Sequence, residues 1–370
     1  MKKLLSLGLA LGMVFTMAAC SNGGDQTSQT PEDSTPPASQ GVQETTPADN
    51  NASGDYETNE AGMTYVNVTG DIDLTGVDLS GKTIGYVTIT STAPWGGRVG
   101  TEFQRLAEEA GAKVNVLDAQ TVADDVNNYC NQMIDNGVDA LAVFGGDVNA
   151  MVDIAKRCDE AGIPLFLLAL DVAEEGRQYA TACIGPDQEE MCYQIGQYVI
   201  EQNGTEAAQT VVQISGVPFL ADYQQREAGF ARAMEEVSNY TLLEPDYAFS
   251  SRPDAKTAME SHLQAEGDAI TIVMGYDDDL TMGAVQAIDE AGKTGAIKVY
   301  SLTGQNDAIQ AVADGKMELT VMNRADNIAK ETVKAVYEYL ANGSTAYYHY
   351  TELTYITADN VADYVGQGEF

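Results

Sequence analysis

Histidine is almost missing from this chain: among 370 residues there are only His262 and His349, one in acidic and the other in tyrosine-rich surroundings. A Ser-His-Asp triad or a zinc centre finds few parts, and there is no G-x-S-x-G elbow to carry a nucleophile. Positive charge is also scarce. Lys and Arg number 19 against 56 Asp and Glu, a formal charge of -37, which repels phosphate backbones and argues against a nucleic-acid partner. No GxxxxGK(S/T) or GxGxxG loop is present to cradle phosphates, and neither a CxxC nor another metal-ligand spacing occurs. Asp277-Asp278-Asp279 lacks the spaced acids and central glycine of a calcium loop. Neither an enzyme, a metal site nor a cofactor is expected.

An apolar run that follows basic residues lies at the N-terminus. Lys2 and Lys3 precede LLSLGLALGMVFTM and Ala18-Ala19-Cys20, a secretory signal too short and wrongly flanked to span a membrane. The small residues before Cys20 resemble a bacterial lipobox, with Met17 where leucine is usual. That implies acylation of Cys20 and anchoring at the outer face of the cell membrane; ordinary cleavage near Ala19 is the other reading. Residues 21–60 are Ser, Thr, Pro, Gly, Gln, Asn and acid, bury too little apolar surface to offset ordering entropy, and read as a disordered tether. Residues 61–80 form a lead-in. Export permits disulfides, but Cys130 and Cys158 fall in predicted helices and read as core thiols; only Cys183 and Cys192 are near enough in sequence to pair.

From residue 81 onward one pattern repeats. EEAGAKVNVLD, DNGVDALAVFG, DEAGIPLFLLAL and DEAGKTGAIKVYSL each end a helix on Gly111, Gly137, Gly162 or Gly292 and run into a β-rich stretch. The first series predicts strands at 82–89, 113–118, 139–144 and 164–170, with helices at 98–110, 122–135 and 148–161. The second predicts helices at 188–202, 221–238, 255–266 and 279–291, with strands at 210–215, 241–249, 269–274 and 297–302. A helix at 326–341 and the strand-like YHYTELTYI close the chain. Apolar strands alternating with amphipathic helices imply α/β architecture, two doubly wound parallel-sheet lobes with a crevice between them; a (β/α)8 barrel is the alternative.

The order and spacing of KTIGYVTITST, VNVLDAQ, AGIPLFLL, QQREAGF, GYDDDLTMGAVQAI and VADGKMELTV resemble the type I periplasmic binding proteins, the ribose and galactose binding class that serves ABC importers, over about residues 82–364. The resemblance implies a three-crossover hinge, an N-terminal lobe of 81–185 plus 324–350 and a C-terminal lobe of 186–323 plus 351–370. It implies closure of the lobes on a solute, delivery to an ABC permease and a monomer. Arg226 matches the arginine that clamps sugar hydroxyls, Asn323 an amide position and Asp277 an asparagine or aspartate position. The sequence departs from the family where Ala169 and Leu170 replace an aspartate-arginine pair, with Asp171 one step later. It departs again around Thr303, with Gln305 close by, and in the first loop, where Gly97 and Arg98 stand with Trp95 slightly earlier.

Each candidate has a plainer reading. Trp95, between Pro94 and Gly96-Gly97, either stacks on a ligand from a loop or caps the first helix against the core. Arg98 either meets the ligand or lies on a helix surface, and Arg226 either grips paired oxygens or pairs with Glu227 or Glu235. Of the three aspartates 277–279, one reads as a helix N-cap and one as a ligand acceptor. The expected ligand is a sugar or polyol, with a pentose, hexose, inositol, furanone or nucleoside all open. A sensor presenting its ligand to a membrane kinase or chemoreceptor has the same sequence features.

Overall fold

The computed structural model describes residues 56–59, 61–218, 220–249 and 251–368; the signal segment, Cys20 and nearly all of the tether lie outside the described residues. The chain first forms β1 (Glu57–Thr58), β2 (Thr64–Val68), β3 (Thr83–Thr88), α1 (Pro94–Glu109), β4 (Lys113–Asp118), α2 (Ala123–Asp135) and β5 (Ala140–Phe144). Next come α3 (Ala150–Ala161), β6 (Leu165–Leu168), β7 (Ala182–Ile184), α4 (Gln188–Asn203), β8 (Gln209–Ser215), α5 (Ala221–Met234), β9 (Tyr240–Leu242) and β10 (Asp246–Tyr247). The remainder is α6 (Arg252–Ala265), β11 (Ile272–Gly275), α7 (Asp278–Glu290), β12 (Lys298–Thr303), α8 (Asn306–Ala313), β13 (Leu319–Asn323), α9 (Ala325–Asn342), β14 (Tyr348–Thr351) and β15 (Leu353–Thr357).

Two sheets result. The first runs β1-β2-β14-β7-β6-β5-β3-β4 and is parallel apart from the β1–β2 pair. The second runs β10-β8-β11-β12-β13-β15, with β9 also on β8, and only β15 is antiparallel to its neighbour. Successive residues of a strand point to opposite faces, so β3 sends Ile84 and Tyr86 toward Phe103, Ile328 and Val336 and sends Val87 toward Val126, Cys130 and Ile154. Both faces are therefore covered, and each such buried aliphatic side chain contributes roughly 1.5–3 kcal/mol relative to exposure. The second sheet has its own core, built from Val211, Ile214, Val273, Met274, Leu302 and Val321 with Ile195 and Phe230 from the helices. Two sheets with separate cores exclude the single barrel.

The chain passes between the sheets three times: from β7 into α4, from β13 into α9, and from β14 into β15 with Glu352 alone between them. The stretch YHYTELTYI is thus two strands in two sheets. The lead-in contributes β2, which pairs in parallel with β14 from Tyr65↔Tyr348 to Val68↔Thr351. The predicted strand 241–249 is instead two short strands on β8, because Pro245 between them has no N–H to donate to a ladder. The first helix begins earlier than predicted, at Pro94, whose fixed φ and missing N–H suit a first helical position. Cys130, Cys158, Cys183 and Cys192 are all buried free thiols. Cys183 and Cys192 belong to different cores, which keeps that pair unbridged. Among the described residues no helix is long and apolar enough to cross a membrane.

Candidate functional site

Trp95 brings the carboxyl ends of the two sheets together. It lies in the first turn of α1, just beyond β3, and not in the loop expected for it. Its indole Nε1–H donates to the carbonyl oxygen of Asn323, the last residue of β13, at 2.8 Å. The ring also packs on Phe144 at the end of β5, centroids 5.9 Å apart and planes tilted by 50°. Two glycines, poor helix formers, follow Trp95 for a steric reason. A Cβ at Gly96 would lie 2.5 Å from the Phe144 ring, and one at Gly97 would lie 2.3 Å from the Ser91 carbonyl. One edge of the indole is therefore tied to the end of β13, and the side chain stays half-buried. Arg98 follows within α1 and is half-buried.

Asn323 is 5% exposed, and its side-chain Oδ1 has no hydrogen-bond partner among the described residues. A buried amide oxygen left unpaired costs about 1–3 kcal/mol, so this atom is an acceptor awaiting a donor.

Arg226 reaches the carboxyl end of β11, two strands from β13 in the second sheet, from α5 and is 8% exposed. Its Nε donates to Gln188 Oε1 at 2.8 Å and its Nη1 to the Tyr276 carbonyl at 2.9 Å, while Nη2 lies 3.9 Å from Asp222. The guanidinium also sits over the Tyr223 ring, 5.4 Å from its centroid. Burial works most strongly against its charge, but Asp222, Tyr223, Cys192 and Asp277 together outweigh it and raise the guanidinium above the ordinary arginine range. The expected partners Glu227 and Glu235 are not the ones used. Gln188, which the sequence reading missed, is 3% exposed and also donates Nε2 to the Ala169 carbonyl at 3.2 Å, linking the end of β6 to Arg226. Only contact geometry reveals it, since in sequence it is one more polar residue at a helix start.

Asp277 is the N-cap of α7, its Oδ1 accepting from Asp279 N at 2.8 Å, and Asp278 is the inward acid. Asp278 is wholly buried and accepts from Gln305 N at 2.9 Å and Thr320 Oγ1 at 2.8 Å. Burial raises its pKa to about 7. Asp277 is raised to about 6, again by burial, with the Arg226 charge opposing. Gln305, 7% exposed, is fixed through its backbone to Asp278 and leads into α8.

Asp171 is not brought into this group. It accepts Val172 N (2.8 Å) and the Tyr347 hydroxyl (2.7 Å) on one oxygen, and Arg177 Nε and the Tyr348 hydroxyl (both 2.8 Å) on the other. A carboxylate with four bonds of its own is a structural tie between the end of β6 and the start of β14. Two surface grooves, one lined by Val138, Ile163 and Tyr339 and the other by Tyr350, Thr351 and Tyr355, hold none of the candidate residues. Among the described residues no three His, Cys, Asp or Glu groups are placed to hold a metal.

The arrangement can hold a small polar molecule between aromatic and hydrogen-bonding groups. Comparison with known proteins gives the family. Residues 84–344 match the model of the periplasmic binding protein domain. The chain is 26% identical to the galactofuranose-binding protein YtfQ of Escherichia coli (strain K12) over 267 residues, 71% of this chain and 83% of that protein. It is 28% identical to the fructose import binding protein FruE of Bifidobacterium longum (strain NCC 2705) over 289 residues, 76% of this chain and 86% of that protein. The crystal structure of a galactofuranose binding protein superimposes with a TM-score of 0.71 at 23% identity, covering 78% of this chain and 98% of that one. The chain therefore belongs to the periplasmic binding protein domain family, whose members bind solutes and do not transform them.

Proposed function

We propose that the protein is the extracytoplasmic solute-binding component of an ABC importer and that it captures a monosaccharide or polyol between its two lobes. The observation that carries this reading is the unpartnered Asn323 Oδ1 beside the half-buried Trp95 ring. A sugar supplies both a hydroxyl donor for the amide and an apolar C–H face for the ring. Arg226, Asp277 and Gln305 contribute directional hydrogen bonds from the second sheet, and Arg98 approaches from the first. The names of the relatives, for galactofuranose and fructose, support a monosaccharide. The lobes are taken as 81–185 with 324–350 and 186–323 with 351–370, working as a monomer that closes about the three crossovers and presents the liganded form to a membrane permease. Acylated Cys20 holds the protein at the membrane through the 21–60 tether.

A thermal-shift screen of the protein against monosaccharides, polyols, nucleosides and amino acids tests the ligand class, because a ligand of the native state raises the midpoint by mass action. A rise with a sugar or polyol alone is expected. A rise only with a nucleoside or amino acid overturns the substrate class. Retention in the membrane fraction, lost on Cys20→Ala, tests the anchor.

A further inference from the structure

The loop that carries Gln305 is held in a conformation it would not keep alone. Thr303 has φ 115°, which a β-branched residue adopts only under constraint, and Gly304 follows at φ 76°. The loop is pressed against β13, since a Cβ at Gly304 would lie 2.4 Å from the Met322 Cβ. Asp278 secures it from beneath through Gln305 N.

The second hold comes from the far end of the chain. After β15, one turn of 3-10 helix (Val361–Asp363) packs Val361, 8% exposed, into the second core, and Tyr364 lies against the same cluster. Tyr364 N donates to Val361 O at 2.9 Å and Gln367 N to Tyr364 O at 2.8 Å, turning the tail back toward α8. Gly368 N then donates to Asn306 Oδ1 at 2.9 Å, and Asn306 Nδ2 approaches Gly368 O at 3.5 Å. A Cβ on Gly368 would stand 2.7 Å from Asn306 N and 2.8 Å from Gly304 O, so the tail backbone touches both sides of Gln305 and leaves room for glycine only.

We propose that the carboxyl-terminal tail is a positioning element of the solute site, in which Gly368, gripped by Asn306, fixes the Thr303–Asn306 loop so that Gln305 meets the ligand preorganised. This rests on the proposed role of Gln305 as a ligand contact. Asn306 and Gly368 touch the loop and not the solute. A ligand that finds the loop already ordered does not spend binding free energy on ordering it, so loosening the tail weakens affinity even where the fold persists.

The test uses the full chain with Asn306→Ala, Asn306→Asp, Gly368→Ala and a truncation after Tyr364. Hydrogen exchange at amides 305–309 without ligand reports the clamp itself; calorimetric titration with D-galactose, D-fructose and D-ribose reports its consequence. The expected result is exchange faster by about tenfold in Asn306→Ala and Gly368→Ala, with Kd weaker by about three- to tenfold for whichever sugar binds. Asn306→Asp, which can still accept from Gly368 N, recovers part of both, and the ligand-free midpoint moves by less than about 3 °C. Unchanged exchange overturns the proposal. So does faster exchange with unchanged Kd when Gln305→Ala does weaken binding, because the loop is then loosened without effect. If Gln305→Ala leaves Kd unchanged, the ligand role of Gln305 fails and the tail's role falls with it. Gln305→Ala, made with the tail intact, tells these failures apart.

Discussion

The indole of Trp95 and the backbone carbonyl of Asn323 are joined by a 2.8 Å hydrogen bond that spans 228 positions of sequence. It ties the first turn of a helix on one sheet to the end of a strand in the other, beside a crossover. Trp95 is thus both a hinge contact and a candidate ring for the ligand, and its two functions use different parts of one side chain.

Those parts separate by substitution. Trp95→Phe keeps an aromatic face and loses the indole donor, leaving the Asn323 carbonyl one bond short, at an expected cost of about 1 kcal/mol in stability and a small loss of affinity. Trp95→Ala removes the ring as well and is expected to abolish measurable sugar binding. Thermal midpoints and titrations of the two variants check both statements.

Gln188 is expected to matter although it offers the ligand nothing directly. Gln188→Ala leaves the buried Arg226 Nε–H and the Ala169 carbonyl without the bonds they make now. An unsatisfied donor on a buried charge costs about 1–3 kcal/mol, so the variant should melt lower and bind sugar roughly tenfold more weakly. Equal affinity in wild type and variant would show that Arg226 needs no support from Gln188.

The pH dependence has a definite sign. Asp278 is raised by burial from 3.8 to about 7, so the folded chain holds a proton there that the unfolded chain releases. Its contribution favours folding fully below about pH 3.8 and is lost as pH rises through about 7. The thermal midpoint is expected to fall by roughly 5 °C or more between pH 5 and 8. Asp278→Asn keeps a carbonyl acceptor for Gln305 N and removes the titrating group, and should flatten that slope. An equal slope in the variant would place the proton elsewhere.

Helix packing in the second lobe leaves no room at Gly229. A Cβ there would fall 1.9 Å from the Glu189 carbonyl and 3.0 Å from Tyr193 N, both backbone of α4. Gly229→Ala must separate α4 from α5, at a cost of more than about 2 kcal/mol, read by denaturant unfolding.

Much of the fold was legible because it is written in local pattern: glycine-closed helices followed by apolar runs announce parallel strands covered on both faces. What escaped was set by long-range pairing. β2 looked like a lead-in because its partner β14 lies far along the chain, and only the closed ladder between them reveals it. The switch of sheets at Glu352 is invisible in YHYTELTYI, where every second residue suits either sheet. At the site, Arg226, Asp277 and Asn323 were read from local motifs. The four donors that hold Asp171 were not legible, since they come partly from Tyr347 and Tyr348, remote in sequence. Gln188 escaped for the same reason, and which of the aspartates 277–279 turns inward was likewise set by burial and contact.

The most direct test is a calorimetric titration of the sugar found by the thermal screen into wild type, Asn323→Ala and Arg226→Lys. Stoichiometric binding to wild type is expected. Asn323→Ala should lose about tenfold in affinity with the unpaired acceptor, and Arg226→Lys tenfold or more with the guanidinium fork. Sugar bound equally tightly by all three proteins would contradict a site between the lobes built on these residues.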